Sequence, residues 1–128
     1  MSLDPAETRF VEIVFPEQAN HYGTLFGGTA LNLMSKAAAI AAARRAGGSV
    51  VMARSDRVDF HMPVAVGQIV ELVARVERVG RSSMTVSVEV VAETLGKKDR
   101  KVAMRGSFEM VAIDENGRPL AIAKANAA

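Results

Sequence analysis

With 128 residues, 49% of them hydrophobic, the chain is long enough for one domain with a substantial core and too short for two comfortable ones. Its 16 Lys and Arg against 14 Asp and Glu leave a formal charge of +2. With 5% aromatic residues and no basic run longer than Lys97-Lys98, it carries neither a phosphate-tracking stripe nor a base-stacking platform, which argues against nucleic acid as a partner. The absence of cysteine removes disulfides, thiolate metal sites and thiol nucleophiles.

Residues 1–7 read as an N-terminal tail. Met1-Ser2-Leu3-Asp4-Pro5 has no basic segment leading into an apolar one, so no secretory signal is expected. No stretch is long and apolar enough to span a bilayer, so the expected compartment is the cytoplasm, with no membrane partner. A single domain is expected over residues 8–119. Thr8–Phe15, rich in β-branched and aromatic residues and stopped by Pro16, predicts a first strand. The loop Glu17–Phe26 follows and runs through Gly27 and Gly28 into Thr29–Arg45, a run of strong helix formers with Arg44 and Arg45 at its carbonyl end and Gly47-Gly48 as a stop. On a 3.6-residue period Leu31, Met34, Ala38, Ala41 and Ala42 share one face, and Asn32, Ser35, Lys36 and Ala39 form a more polar stripe. The many alanines suggest close packing of other backbone on several sides.

Only strand patterns follow. They are Ser49–Phe60, Gln68–Val79, Ser83–Glu93 with Met84, Val86, Val88, Val90 and Ala92 on one side, and Lys101–Ile113 with Val102, Met104, Phe108, Met110 and Ala112 inward. Short glycine-bearing connectors join them, and Asp114-Glu115-Asn116-Gly117-Arg118-Pro119 predicts a turn that ends the last strand. Residues 120–128 read as a C-terminal tail, with little to bury beyond Ile122 and fraying expected there. The order β, long buried α, then four β is that of an α+β domain with one antiparallel sheet curled round one helix. One helix cannot cover both faces and edges of five strands, so at least a dimer is expected.

Several spaced motifs then agree in order: Pro16-Glu17-Gln18-Ala19-Asn20-His21-Tyr22-Gly23-Thr24-Leu25-Phe26-Gly27-Gly28, then Met34, then Val58-Asp59-Phe60-His61-Met62-Pro63-Val64-Ala65-Val66-Gly67, then Val79-Gly80-Arg81-Ser82-Ser83. Together they resemble the hotdog-fold acyl-CoA thioesterases, in the group of cytosolic acyl-CoA hydrolases and their small bacterial relatives, over roughly residues 8–119. The resemblance implies a five-stranded antiparallel sheet wrapped round the helix and a homodimer that assembles further into a hexamer. It also implies an acyl-CoA substrate and an active site at the dimer seam, where the loop of one subunit meets the helix of the other. No metal or redox cofactor is implied; coenzyme A enters as part of the substrate.

Asn20 matches the family's loop asparagine, which orients water or polarises the thioester; in any glycine-rich loop such a residue can equally build an Asx-turn. Gly27 and Gly28 precede the helix, where backbone N–H groups lack intrahelical partners and could stabilise a thioester oxyanion. Ser35 is where the chain departs from the family. Most relatives carry Asp or Glu one position after the helix Met, and a serine with no adjacent base is not an activated nucleophile.

Three replacements stay open. Asp56 could supply a carboxylate, although between Arg54 and Arg57 it is ordinarily half of an ion pair. His21 could act as a base. Ser35 could hold water while the oxyanion site does most of the work. Arg81, Ser82 and Ser83 match the segment that lies near the nucleotide and pantetheine end of coenzyme A, and an arginine with hydroxyls suits phosphate. Two histidines without metal-ligand spacing make a metal site improbable. Acyl-CoA hydrolysis is thus the leading expectation, and a non-catalytic or weakly catalytic acyl-CoA or acyl-carrier binding dimer is the alternative.

Overall fold

The computed structural model describes residues 7–124. Its elements are β1 (Glu7–Ile13), a single 3₁₀ turn (Pro16–Gln18), α1 (Gly27–Ala46), β2 (Val50–Phe60), β3 (Ile69–Val79), β4 (Ser83–Glu93) and β5 (Lys101–Ala112). The strands form one antiparallel sheet in the order β1-β3-β4-β5-β2, and α1 packs across it. Glu7 is the first residue of β1, one position inside the expected tail; residues 1–6 and 125–128 lie outside the described residues.

The helix ends where its sequence stops favouring it. Gly47 takes a left-handed backbone (φ 77°), and its N–H closes the last turn on the Ala43 carbonyl at 2.8 Å. The buried stripe runs through Ala30, Leu33, Met34, Ala37, Ala38, Ala41 and Ala42. Leu31, expected on the inward face, is instead 38% exposed although Ala38 and Ala42, at nearly the same angle round the axis, are fully buried. The cause is reach round the axis: the buried stripe centres on Ala30, Ala37 and Ala41, Leu31 stands at its edge, and a leucine there extends past the cover that suffices for the small side chains of Ala38 and Ala42. The alanines pack against the sheet on one side only, and Asn32, Lys36 and Ile40 lie open on the other.

In β4 the five inward residues are all buried as their alternation requires. In β5 the alternation slips. Val90 pairs with Met104 and Val91 with Val102, so a bulge buries Ala103 beside Met104 and leaves Val102, expected inward, only half-buried. A second bulge in β2 sets Arg57 and Val58 against the single residue Gly106, with Arg57 in a left-handed conformation (φ 42°). Gly106 is required there by space, because a Cβ would lie 3.0 Å from Val58 Cγ2 and 3.1 Å from Met34 Cε.

The outer sheet face carries an ion-pair lattice: Arg75–Glu7 at 2.6 Å, Arg100–Glu71 at 2.9 Å and Arg105–Glu89 at 2.7 Å. The Arg75 guanidinium, and then that of Arg9, hold the Glu7 carboxyl below its ordinary range. β1 and β2 are the free edges, and β2 is exposed from Val51 to Arg57.

The chain is held as far as Ala123, one residue into the stretch where fraying is expected; residues 125–128 lie outside the described residues. The Asp114 carboxylate accepts the amides of Asn116 and Arg118 at 2.8 and 2.9 Å and turns the chain back. Leu120 N–H then donates to Ala112 O at 2.8 Å, Ile122 N–H to Arg81 O at 2.7 Å, and Arg45 Nη1 to Ala123 O at 3.0 Å.

Candidate active site

Between β1 and α1 the chain makes a small hairpin. Gln18 closes its base, its side-chain oxygen accepting Phe15 N–H at 3.0 Å and its carbonyl accepting Phe26 N–H at 2.9 Å. The hairpin docks on the segment after β2 through Leu25 N–H to Val64 O at 2.7 Å and Val66 N–H to Gly23 O at 3.1 Å. Asn20 sits inside it. Its Oδ1 accepts the Tyr22 and Thr24 amides at 3.0 and 3.1 Å, and its Nδ2 donates to Thr24 Oγ1 at 3.0 Å. The Asx-turn is therefore real, and it has a chemical consequence: with Oδ1 fixed by two amides, the amide plane is fixed, and Nδ2 has a second N–H to offer. His21 and Tyr22 are exposed at the tip, with ring centroids 4.0 Å apart.

The hairpin leads directly into α1. The first intrahelical bond is Ala30 N–H to Phe26 O at 2.9 Å, and Phe26, at the cap position, contributes no side-chain acceptor. The amides of Gly27, Gly28 and Thr29 thus precede the helical ladder, at the positive end of the helix dipole. Two rings border them. A Cβ on Gly28 would lie 2.8 Å from Phe26 Cε2, and one on Gly27 would lie 4.0 Å from Phe60 Cζ. Both rings are about half exposed, and Phe60 faces the helix because the β2 bulge shifts its alternation by one residue. Sequence reasoning missed Phe60, since a bulge leaves no signal in periodicity, and missed Thr24, which its spacing from Asn20 in a glycine loop could have revealed.

Ser35 lies about two turns on from Gly27, half-buried on the flank of α1 that the sheet leaves open. Its Oγ donates to Asn32 O at 2.9 Å. The hydroxyl proton is thereby committed to the backbone, and the oxygen's lone pairs remain as acceptors.

Asp56 is not brought to Ser35. It pairs in register with Ser107, on the outer face of the sheet, while its neighbour Ser55 pairs with the buried Phe108. Asp56 is 62% exposed and stands 4.0 Å from Arg54. One concavity of about 410 Å³, lined in part by Arg57, Arg75, Glu77, Glu89 and Arg105, also lies on this outer side, away from the glycines.

Arg81, Ser82 and Ser83 form the β3–β4 turn, packed so closely that a Cβ on Gly80 would lie 2.8 Å from Ser83 Oγ. This turn lies near the other end of α1, tied through Ile122 and Ala123 to Arg45. Eighteen residues of helix separate Gly27 from Arg45, about 27 Å of rise. Within one chain, then, Asn20 and the two glycines come together, whereas Arg81–Ser83 stand at the far end. Among the described residues no group of three or more His, Asp or Glu is placed to hold a metal, and no helix is long and apolar enough to cross a membrane.

Residues 22–98 match the model of the thioesterase superfamily. An acyl-CoA thioester hydrolase of Zymomonas mobilis, itself uncharacterised, is 38% identical over 97% of this chain and 84% of its own length. Among solved structures, an acyl-CoA hydrolase from Staphylococcus aureus, determined with butyryl coenzyme A and coenzyme A, superposes with a TM-score of 0.88 at 35% identity, covering 92% of this chain and 72% of that one. A hexameric thioesterase from Yersinia pestis superposes with a TM-score of 0.86 at 34% identity, covering 91% and 94%. The hotdog architecture expected from sequence is thus the one observed.

Proposed function

The chain belongs to the thioesterase superfamily, and we infer from that membership and from the site that it is an acyl-CoA thioester hydrolase, cleaving acyl-CoA to a free carboxylic acid and coenzyme A. Similarity to acyl-CoA hydrolases across nearly the whole chain is the observation that carries this reading, and it disfavours a non-catalytic binding dimer.

Water adds to the thioester carbonyl carbon, the carbonyl oxygen becomes an oxyanion, and collapse breaks the C–S bond, with the water's proton ending on the coenzyme A sulfur. The Gly27 and Gly28 amides receive the oxyanion between the rings of Phe26 and Phe60, which lower the local dielectric and strengthen those hydrogen bonds. The free N–H of Asn20 Nδ2 is aimed by its own turn at the carbonyl or the water. Ser35 lies about 12 Å of helix rise from Gly27 and lines the cavity from the other subunit; there it accepts a hydrogen bond from the attacking water rather than removing its proton, because its own proton is held by Asn32 O. Of the two remaining candidate bases, His21 is better supported than Asp56, because it sits beside Asn20 at the tip of the hairpin. Asp56 faces the wrong side of the sheet. Lacking a helix carboxylate, the chain should be slower than a relative that has one, by up to ~10²–10⁴-fold. The steps use no metal or redox group, coenzyme A enters as part of the substrate, and the expected compartment is the cytoplasm.

A second copy completes the site. The separation of about 27 Å between the glycine end of α1 and the Arg81 turn is supplied more naturally across a two-fold axis, where antiparallel helices bring the partner's turn toward this chain's glycines. The bare β2 edge, with Val51 and Met52 exposed, favours strand-to-strand pairing of the two copies. Three such dimers would give the hexamer of the Yersinia pestis relative. The test is release of free coenzyme A thiol by purified protein from acyl-CoAs of two to sixteen carbons. Saturable turnover of at least one is expected; coenzyme A binding without release from any would overturn the enzyme reading.

A further inference from the structure

The chain beyond β5 is built as a strap. The Asp114 turn, with Gly117 left-handed (φ 78°), reverses the backbone, and Ile113 and Pro119 face each other across it. From there Leu120 and Ile122, two residues apart and so donating on the same edge of an extended segment, give their amides to Ala112 O and Arg81 O. Ala112 in turn donates to Ser82 O at 2.8 Å. Both carbonyls at the apex of the β3–β4 turn therefore have main-chain donors from β5 and the strap. At the strap's end the Ile122 side chain packs against the core and Arg45, in the last turn of α1, grips Ala123 O at 3.0 Å. Arg81 itself is exposed, and so is free to meet a ligand.

We propose that Ile122 and Arg45 are positioning residues for coenzyme A: the strap fixes the backbone of the Arg81–Ser82 turn so that the Arg81 guanidinium and Ser82 hydroxyl meet the phosphates of the substrate's nucleotide end. This rests on the acyl-CoA reading given above. A turn with two tethered carbonyls loses little conformational entropy when it binds, whereas an untethered one must be ordered by the ligand. The effect belongs to binding and not to the chemical step, since the turn meets the nucleotide end of the substrate, which the pantetheine arm separates from the thioester.

The experiment compares native protein, Ile122→Pro, which lacks the amide donor, Ile122→Ala, which keeps it, and Arg45→Ala. Each is assayed with the preferred acyl-CoA and with the acyl-pantetheine of the same acyl group, which has no nucleotide. For Ile122→Pro, KM for acyl-CoA should rise about five- to tenfold, the loss of one hydrogen bond's worth of order. kcat should hold, and the acyl-pantetheine kinetics should not move. Arg45→Ala should show a smaller rise of the same pattern and Ile122→Ala nearly none. Equal KM for native protein and Ile122→Pro would overturn the proposal, as would parallel losses with both substrates, which mark general destabilisation. If Ile122→Pro does not fold, the Arg45→Ala split decides by the same criteria. A native chain that neither hydrolyses acyl-CoA nor binds coenzyme A in a calorimeter would sink the activity reading and the strap's role with it, whereas an active native chain with an indifferent strap sinks only the latter.

Discussion

In the hairpin between Gln18 and Phe26 the Asn20 amide holds three groups of its own turn, whereas midway along α1 the Ser35 hydroxyl holds only the Asn32 carbonyl. The first region is prepared: its oxygen is spoken for, its plane is fixed, and one N–H is left to act. The second lacks any group that removes a proton. On the mechanism proposed above, the chain stabilises the oxyanion and positions water through preorganised amides and does less to activate the nucleophile.

Breaking the prepared half should cost most. Asn20→Ala removes both the fixed N–H and the oxygen that accepts the Tyr22 and Thr24 amides and shapes the turn, and kcat/KM for acyl-CoA should fall about 10²-fold, the scale of losing one oxyanion-hole donor. Thiol release measured on folded protein checks it, and an unchanged rate would show that the hairpin serves structure alone. A smaller change disturbs the other half through its support. Gly106→Ala drives a methyl group into Val58, Met34 and Phe108, so unfolding should become easier by about 1–3 kcal/mol, read from denaturant titration. Because Met34 precedes Ser35, kcat should fall a few-fold as well, with the fall confined to this flank if coenzyme A affinity is retained.

Much of this was legible in the sequence. The strand order of types, the long helix, its stop at Gly47 and the inward set of β4 follow from local periodicity and helix-ending chemistry, and each agrees with the structure. What escaped depends on partners distant in sequence. Leu31 stands at the edge of the buried stripe, where a side chain longer than alanine extends past the sheet's cover, and Val102 is displaced by a bulge whose cause is the pairing with β4. Asp56 was a reasonable carboxylate in one dimension, yet its register with Ser107 turns it outward. The C-terminal segment looked featureless because what holds it, apart from the Asp114 carboxylate and Arg45, is backbone amides, which composition does not display. The loop's Asx-turn and the glycines at the helix start could be read because their geometry is local, Asn20 bonding only within four residues of itself.

Ser35→Asp tests the difference between the two halves most directly. It places a carboxylate beside the water that the prepared half already positions. Acyl-CoA hydrolysis by native and Ser35→Asp protein, followed as thiol release at saturating substrate, should show measurable turnover in the native chain and a kcat at least about tenfold higher in the variant. Equal or lower kcat in a folded Ser35→Asp protein would contradict a missing base and would mean that another side chain already removes the proton.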